Sequence, residues 1–361
     1  IFIVGYEHPF KDKRTYRSSK LLSRDFDVYY QFMGESNEMM ENVVNIPMQK
    51  GPSTKNPFKW LKKWKDFDNE LFQKILQCDP DTVYFHYLPF TGSAIIKKLK
   101  EMGIKIVFEI HEIIPQQFMQ RYSYFDFIRG KLWKEFIESI RISDCNICVS
   151  EDAMNYIFDR GSFKTDFLSL ENYSLKGFPV LSKLEREKEI NIVGKDARYF
   201  NREDYVLESL KEKGFKIKKI GLDNLSKSYF DKSLPVLPYD EMMKELSVSA
   251  FSFISINSSS SNQNLINDKF ALPNKFFDSV SAGTPIILNK KHISMKSILE
   301  KDNTGVILDF DNMEKSISDI IDFYNNFDER ILSLKENQYK YYWSGEKEKE
   351  YTDFIKKSLE V

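Results

Sequence analysis

Cysteine is scarce in this sequence: Cys78, Cys145 and Cys148 are the only three among 361 residues. That number is too small for the disulfide framework of a small secreted domain. Cys145 and Cys148 have the C-x-x-C spacing of redox and metal sites, but they lie in an apolar run without a second pair or a nearby histidine. We therefore expect both thiols to be buried in a strand.

Long apolar runs and an excess of one charge are also absent. No 18 consecutive residues are apolar, and the first residues lack the basic and apolar segments of a signal peptide. Lys and Arg number 53 against 54 Asp and Glu, a formal net charge of -1. Because such a chain has no overall field that attracts nucleic acid, we expect no nucleic-acid partner. The lack of an apolar span and of signal-peptide features predicts a cytoplasmic location.

The sequence predicts no metal centre and no cofactor. Its four histidines, His8, His86, His111 and His292, include no pair four residues apart on a helix. The Asp-x-Asp pattern at 309–311 binds metal in some enzymes, but here it follows an apolar run and precedes a predicted helix, so we interpret it as a turn. No Gly-x-Gly-x-x-Gly sequence occurs, which weighs against a dinucleotide-dependent dehydrogenase.

The sequence contains, in contrast, ample material for two packed cores, since its length and its 42% of hydrophobic residues predict two domains. Amphipathic stretches alternate with short apolar runs, as in parallel sheets with helices. The predicted strands are 1–4, 28–32, 82–86, 105–110, 146–149 and 166–170, then 190–193, 216–220, 250–256, 285–288 and 305–308. We predict an N-terminal domain over 1–172, a linker over 173–188, a second α/β domain over 189–338 and a C-terminal helix over 339–361.

The segment 270–287 is the clearest candidate for a binding site, with a loop, a helix, a tight turn and a strand in succession. Pro273 suits the first turn of a helix, whose unpaired N–H groups and dipole favour an anion such as a diphosphate. Lys275 adds a cation in that turn. Asp278 lies one turn beyond Asn274, where a carboxylate can accept two hydrogen bonds from a ribose diol. The alternative is a plain surface helix with a solvated Asp278.

The sequence LPNKFFDSVSAGTPII at 272–287 resembles the nucleotide-sugar-binding segment of glycosyltransferase family 4. Other motifs follow the family's order: the strand that ends in His86, the run VFEIHEIIP with His111 and Glu112, and the loop Leu-Pro-Tyr that ends at Tyr239. The resemblance implies the GT-B fold, in which two Rossmann-like, doubly wound parallel-sheet domains face a cleft. It also implies that the C-terminal helix crosses back to the N-terminal domain.

The resemblance implies an enzyme that transfers a hexose from a UDP- or GDP-sugar donor to a glycan or lipid-linked acceptor. Retention of configuration, independence of metal and a role in bacterial cell-surface polysaccharide biosynthesis are further implications. The donor would be bound by Tyr239, Pro273, Asn274, Lys275 and Asp278. A nucleotide-sugar 2-epimerase of the same fold and a partner subunit without catalysis remain as alternatives.

The chain departs from the family pattern at two places. Phe270 stands where the family has the first of two acidic residues, and the polar replacements nearby are Asn264, Asn267 and Asp268. The family's Arg and Lys pair after the first strand of the donor domain has no clean match. Among Lys195, Arg198 and Arg202, we predict that Lys195 and Arg198 hold the diphosphate.

The first domain offers candidates for catalysis and for the acceptor. His111 and Glu112 follow a predicted strand, at the carboxyl edge where open α/β sheets bind ligands. We predict a catalytic role for both. The alternative is that His111 is a hydrogen-bonded structural residue and that Glu112 is an acid at the start of a helix. Gly5, Arg14 and His86 are the predicted acceptor-side residues, because they belong to or follow strand ends.

Residues 50–65 contain six lysines and no acid, with Phe58, Trp60, Leu61 and Trp64 among them. This composition predicts a basic, aromatic surface helix. Contact with an anionic membrane, at the inner face of the cytoplasmic membrane, would suit a lipid-linked acceptor. The alternative is that both tryptophans pack inward and the lysines are simply solvated.

Overall fold

The computed structural model describes residues 1–49, 51, 56–113, 126–194, 200–222, 225–256 and 266–360. The chain divides into two compact units. Unit 1 consists of Ile1–Leu170 and Gly345–Val361, and unit 2 consists of Glu171–Ser344. Each unit contains one parallel sheet accompanied by helices, which confirms the α/β prediction.

The sheet of unit 1 has seven parallel strands in the order β3-β2-β1-β4-β5-β6-β7. They are β1 (Phe2–Pro9), β2 (Val28–Met33), β3 (Val43–Met48), β4 (Thr82–Phe85), β5 (Lys105–Ile110), β6 (Cys145–Cys148) and β7 (Asp166–Ser169). The described helices are α1 (Lys13–Leu22), α2 (Pro57–Cys78), α3 (Ser93–Glu101), α4 (Asp126–Ile142) and α5 (Glu151–Phe158). Every residue of β6 is buried, so the two cysteines lie in a buried strand as predicted. β3 was not predicted, because it is a half-exposed edge strand that contains a proline.

The sheet of unit 2 has six parallel strands in the order β10-β9-β8-β11-β12-β13. They are β8 (Glu187–Gly194), β9 (Lys216–Gly221), β10 (Lys232–Leu234), β11 (Ser249–Ile254), β12 (Ile286–Asn289) and β13 (Gly305–Leu308). The described helices are α6 (Arg202–Glu212), α7 (Tyr239–Ser247), α8 (Ile266–Phe270), α9 (Asn274–Ser281), α10 (Ile293–Asp302), α11 (Met313–Asn325), α12 (Phe327–Arg330) and α13 (Leu332–Asn337). The predicted bounds of α9 and β13 agree with the structure residue for residue. β10 has three residues, two exposed and one half-buried, too few for a periodic signal.

The segment 173–188, predicted as a linker, lies within unit 2 and is bound to it. Arg186 is buried there, and its guanidinium donates hydrogen bonds of 2.7, 2.9 and 2.7 Å to the carbonyl oxygens of Ser247, Ser249 and Gly283. A buried guanidinium requires such partners, so this part of the segment cannot be a solvated tether. The boundary between the units falls after Leu170, before the predicted linker begins.

The end of the chain returns to unit 1, as the family resemblance implies. Helix α14 (Gly345–Ser358) buries Tyr351 and Ile355, and Lys105 of β5 donates a 2.5 Å hydrogen bond to the carbonyl oxygen of Leu359. The preceding residues 339–344 belong to unit 2. In the part of the chain that the structure describes, no helix has the length and apolarity needed to cross a bilayer.

The buried lysine of β9 gives a test of the core of unit 2. Lys218 is 1% exposed, and its ammonium lies 2.6 Å from Glu189 and 2.9 Å from Glu245. The variant Lys218→Met should lower the free energy of unfolding of unit 2 by about 3 kcal/mol, because it leaves a buried carboxylate without its counter-charge. The measurement is urea unfolding of the full chain.

The matched control is Lys216→Met on the same strand. Lys216 lies 3.7 Å from Glu187, and both side chains are about two-thirds exposed, at 65% and 64%. The substitution Lys216→Met should lower the free energy of unfolding by less than about 1 kcal/mol. Equal effects of the two substitutions would contradict a structural role for the buried ion pairs.

Candidate active site

In both sheets the strand order reverses at one point, between β1 and β4 in unit 1 and between β8 and β11 in unit 2. Open parallel sheets bind ligands outside the carboxyl ends of the strands near such a point. Polar side chains from several elements meet at this edge in each unit, and they supply the candidate site residues.

A buried glutamate, Glu109 of β5, organises this edge in unit 1. Its Oε1 contacts Nε of Arg14 and lies 3.1 Å from Nε2 of His111. Its Oε2 accepts a hydrogen bond from the Tyr84 hydroxyl and lies 3.0 Å from Nδ1 of His86. Burial alone would raise the pKa of Glu109, but the charges of Arg14 and His86 and the imidazole hydrogen bonds hold it well below its ordinary value. The carboxylate is therefore ionised and fully surrounded by proton donors.

Glu109 was not among the residues predicted from the sequence, although the sequence carries a signal for it. The residue is an acid inside the apolar run KIVFEI of a central strand. A carboxylate buried at such a position requires cationic and hydrogen-bonding partners, which only the fold can identify.

Three residues predicted on the acceptor side, His86, Arg14 and Gly5, have contacts within unit 1. His86 has no exposed surface, and its Nδ1 faces Glu109. Arg14 is 5% exposed, and besides Glu109 it donates two 3.0 Å hydrogen bonds to the carbonyl oxygen of Leu170. Gly5 permits close strand packing, since a Cβ there would lie 2.7 Å from the carbonyl oxygen of Gln31. All three are buried and have internal contacts, and their acceptor-side role stays a prediction.

His111 and Glu112 reach the surface just beyond β5, where they were predicted. The side chain of His111 is 17% exposed, and Glu112 is exposed. Burial lowers the pKa of His111 to about 4, although Glu109 opposes the shift. His111 is therefore neutral near pH 7. Because the ionised Glu109 can only accept and its Oε1 lies 3.1 Å from Nε2 of His111, its charge favours the neutral tautomer with the proton on Nε2 and a lone pair on Nδ1.

His86, Glu109 and His111 also form, among the described residues, the one group whose ligand atoms are close enough for a metal ion, all within 4.8 Å of one another. Both oxygens of Glu109 already face the donors Arg14 and Tyr84 in addition to the two imidazoles. A cation would have to displace these donors and lie beside the guanidinium charge. The arrangement fits proton sharing better than metal binding.

The candidate donor helix of unit 2, α9, begins at Asn274 with Pro273 as its N-cap. Asn274 is exposed, and Lys275 is half-buried. The Lys275 ammonium lies 3.5 Å from the carbonyl oxygen of Val193 near the end of β8. A cation and a helix amino terminus are thus near the end of β8, an arrangement that favours an anionic ligand.

Asp278 and Tyr239 were predicted separately as donor ligands, and the structure brings them together. Asp278 is 5% exposed, and its Oδ1 accepts a 3.3 Å hydrogen bond from the Tyr239 hydroxyl. That hydroxyl also lies 2.5 Å from Oγ of Ser174 and accepts from the backbone N–H of Leu175 at 3.1 Å. Burial and the charge of Asp278 raise the pKa of Tyr239 to about 12, so the phenol stays protonated. Ser174 had no signal in the sequence.

Two further carboxylates are buried near the ends of β11 and β12. Glu203 accepts a 2.5 Å hydrogen bond from the Ser255 hydroxyl, and Oδ2 of Asp268 lies 3.9 Å from the Lys291 ammonium. Burial lowers the pKa of Lys291, although both carboxylates oppose the shift. Asp268 was one of three alternatives for the acid missing at Phe270, and it lies on helix α8 beside this cation.

The predicted diphosphate ligands Lys195 and Arg198 lie outside the described residues, as does Asn264. Arg202, the third cation considered, contacts the carbonyl oxygen of Phe310 and lies 3.6 Å from Asp311. The Asp-x-Asp sequence is a strand-to-helix turn, as predicted. Asp309 follows β13 and accepts a 2.8 Å hydrogen bond from the N–H of Asp311, and Lys290 lies 2.5 and 2.6 Å from the two carboxylates.

Comparison with known protein families gives one match: residues 18–165 fit the model of Glycosyltransferase Family 4. These residues include β2 to β6 and therefore most of the sheet of unit 1. No curated protein matches the sequence.

Solved structures match along nearly the whole chain. Sucrose-phosphate synthase from Thermosynechococcus elongatus is 10% identical, with a TM-score of 0.71 over 99% of this chain and 98% of that one. WaaG, a glycosyltransferase involved in lipopolysaccharide biosynthesis, is 10% identical, with a TM-score of 0.60 over 94% of each chain. A protein described as a UDP-N-acetylglucosamine 2-epimerase from Listeria monocytogenes is 12% identical, with a TM-score of 0.57 over 98% of this chain and 94% of that one.

Two parallel-sheet units that match these structures end to end define a protein of the GT-B fold. Within that class, residues 18–165 match the model of Glycosyltransferase Family 4, so this part of the chain is similar to that family. The resemblance found in the sequence is thereby confirmed.

The protonation of His111 predicts how stability depends on pH. Its pKa is about 4 in the folded chain and ordinarily about 6.5 when unfolded, so the unfolded state binds more protons between these values. The contribution of His111 to the free energy of unfolding is therefore complete above about pH 6.5. Protonation of His111 in the unfolded state should lower the free energy of unfolding by about 3 kcal/mol as the pH falls to 4. Urea unfolding of unit 1 across this range measures the effect.

His111→Gln should flatten this pH dependence, because its amide can still donate to Glu109 but does not titrate. Retention of the wild-type slope by the variant would mean that another group causes the loss of stability.

Proposed function

We propose that this glycosyltransferase moves a sugar from a UDP- or GDP-sugar to a hydroxyl of a glycan or lipid-linked acceptor in bacterial cell-surface polysaccharide biosynthesis. The observation that carries the proposal is the hydrogen bond from Tyr239 of α7 to Asp278 of α9, because the first turn of α9 also presents Lys275 near the end of β8. In this proposal unit 2 binds the donor, and unit 1 binds the acceptor.

Asp278 has capacity for a ribose diol. A carboxylate offers about four lone-pair positions, and the hydrogen bond from Tyr239 is long at 3.3 Å. The hydroxyl of Tyr239 is held by Ser174 and Leu175, and the proposal has the nucleoside approach from this side. The ribose hydroxyls would donate to Asp278, and the base would lie toward Tyr239.

The diphosphate requires positive potential because negative charge grows on it as the sugar departs. The amino-terminal N–H groups of α9 and the ammonium of Lys275 supply that potential in the described residues. Lys195 and Arg198 are proposed to complete the site from the adjoining loop. With these cations the leaving group needs no metal ion, and retention of configuration is the course that the family resemblance implies.

The acceptor side of the proposal involves the surface at the end of β5. His111 is neutral near pH 7 and presents an unprotonated Nδ1, and Glu112 is exposed beside it. Both can accept a hydrogen bond from an incoming hydroxyl.

A nucleotide-sugar 2-epimerase is a second candidate, favoured by one observation. The Listeria protein with that description has the same fold over 98% of this chain. An epimerase needs no acceptor, so acceptor dependence separates the two activities. A partner subunit without catalysis, suggested by Phe270 in place of an acid, would bind the nucleotide sugar and leave it intact.

The donor site is tested by nucleotide binding. UDP, GDP and their sugars are titrated calorimetrically into the wild type and Asp278→Ala. The variant should bind more weakly by about 1–3 kcal/mol, which corresponds to roughly 5- to 150-fold in the dissociation constant, because hydrogen bonds to a charged group are lost.

Asp319→Ala is the matched control, since Asp319 is an exposed acid of α11 in the same unit. It should bind as the wild type does. An unchanged dissociation constant for Asp278→Ala would remove Asp278 from the donor site.

The reaction itself is tested by incubation of the tightest-binding nucleotide sugar with octyl glycosides, with and without EDTA. Product formation that persists in EDTA and retains the anomeric configuration supports the proposal. Epimerised nucleotide sugar without any acceptor supports the second candidate. Intact nucleotide sugar under all conditions would support the partner-subunit alternative.

The start of helix α2 carries the proposed membrane contact. Phe58 is 80% and Leu61 is 41% exposed, and the exposed lysines Lys59, Lys62 and Lys65 flank them. Trp64 does not take part, because it is 6% exposed and stacks on Tyr6 with ring centroids 5.6 Å apart. The docking surface is therefore Phe58, Leu61 and the lysines, and anionic lipid is the partner that complements it.

Vesicle co-sedimentation checks this contact. The full chain should bind vesicles that contain anionic lipid more tightly than neutral vesicles, and the binding should fade as salt screens the charges. Changing Lys59, Lys62 and Lys65 together to Glu should abolish it. The control changes the exposed lysines Lys301, Lys315 and Lys349 to Glu and should retain binding. Equal binding to neutral and anionic vesicles would contradict the proposal.

A further inference from the structure

The imidazole of His8 lies near the end of β1, beside the point where the strand order of unit 1 reverses. Its side chain is 28% exposed, and Nδ1 lies 3.3 Å from Oδ2 of Asp12. The ring centroid of His8 is 5.5 Å from that of His111. His8 is thus at the same surface as the acceptor candidates but belongs to a different strand.

Asp12 is held rigidly by the helix that follows. Its Oδ1 accepts hydrogen bonds of 3.1 Å from the N–H groups of Arg14 and Thr15 and thereby caps α1. Only Oδ2 remains for the imidazole of His8. Since one oxygen is committed to the cap, the carboxylate cannot rotate without breaking it.

The carboxylate fixes the proton of neutral His8 on Nδ1, because an ionised Asp12 can only accept. Nε2 then carries a lone pair. Among the described residues no hydrogen bond is made to Nε2 of His8. His86 cannot replace it, because that ring has no exposed surface.

The charged groups around His8 determine its basicity. Burial alone would lower its pKa, but the hydrogen bond and charge of Asp12, followed by Glu109 and Glu7, raise it above the ordinary value. The neighbouring His111, with its pKa lowered to about 4, adds no positive charge near pH 7. Arg14 is committed to Glu109 and Leu170. His8 is therefore the more basic of the two exposed imidazoles.

We propose that Nε2 of neutral His8 accepts the hydrogen bond of the acceptor hydroxyl, and that Asp12 is the positioning residue that orients the ring and keeps the single proton of the neutral imidazole on Nδ1. This inference rests on the proposed transferase function and assigns a residue of unit 1 that is not part of the proposed donor site. The hydroxyl oxygen, with its proton directed to His8, turns its lone pairs toward the sugar. Protonation of Nε2 would abolish the interaction.

The experiment compares the wild type with Asp12→Asn in the full chain labelled with nitrogen-15 at its four histidines. Asparagine keeps its oxygen on the cap of α1 and turns its amide N–H toward His8, which forces the proton onto Nε2. The NMR spectrum should show His8 as the Nδ1–H tautomer in the wild type and as the Nε2–H tautomer in the variant.

Activity is followed as transfer from the tightest-binding nucleotide sugar to octyl glycosides. Asp12→Asn should reduce kcat/KM for the glycoside by about tenfold or more, the effect of one well-placed hydrogen bond. The wild-type rate should fall at low pH with a midpoint above the ordinary histidine value of about 6.5. The dissociation constant of the nucleotide sugar should not change, since unit 2 binds it.

His8→Gln and the exposed control Asp159→Asn complete the design. His8→Gln should lose the acid limb of the pH profile together with most of the transfer, and Asp159→Asn should match the wild type. A tautomer switch in Asp12→Asn without loss of transfer would overturn the proposal, as would the Nε2–H tautomer in the wild type. A wild type that neither binds nor turns over nucleotide sugars would instead contradict the proposed function, and with it this inference.

Discussion

The carboxylate of Glu109 is buried in unit 1, and its charge must be balanced from within the fold. Arg14 of α1, the Tyr84 hydroxyl and the imidazoles of His86 and His111 all turn toward it. This one charge therefore joins α1 to two strands of the sheet. The charge also acts on the surface at the end of β5. It favours the His111 tautomer with the proton on Nε2, and it pairs with the guanidinium of Arg14.

The parallel order of both sheets explains why the candidate residues gather where they do. All carboxyl ends of a parallel sheet lie on one edge, so loops distant in sequence meet there. In unit 2 the same rule brings the start of α9 to the end of β8 and lets Tyr239 reach Asp278. Buried polar groups at such an edge must satisfy one another until a ligand provides better partners.

Much of the fold was predictable because its signals are local. Buried strands of a parallel sheet are continuous apolar runs, and β5, β13 and helix α9 were located to the residue. The edge strands β3 and β10 were missed, since an edge strand is short and half-exposed. The segment 173–188 was taken for a linker because its composition is polar, while Arg186 binds three carbonyl oxygens of unit 2.

The sequence by itself determined the α/β architecture, the family resemblance and the bounds of helix α9, which carries Lys275 and Asp278. Those properties follow from periodicity and from residues close together in the chain. The tertiary structure decided which polar residues are exposed. It buried His86 and Arg14 around Glu109, left His111 at the surface and directed Asp12 to His8. Charge balance and tautomers depend on contacts between residues far apart in sequence, so only the folded chain defines them.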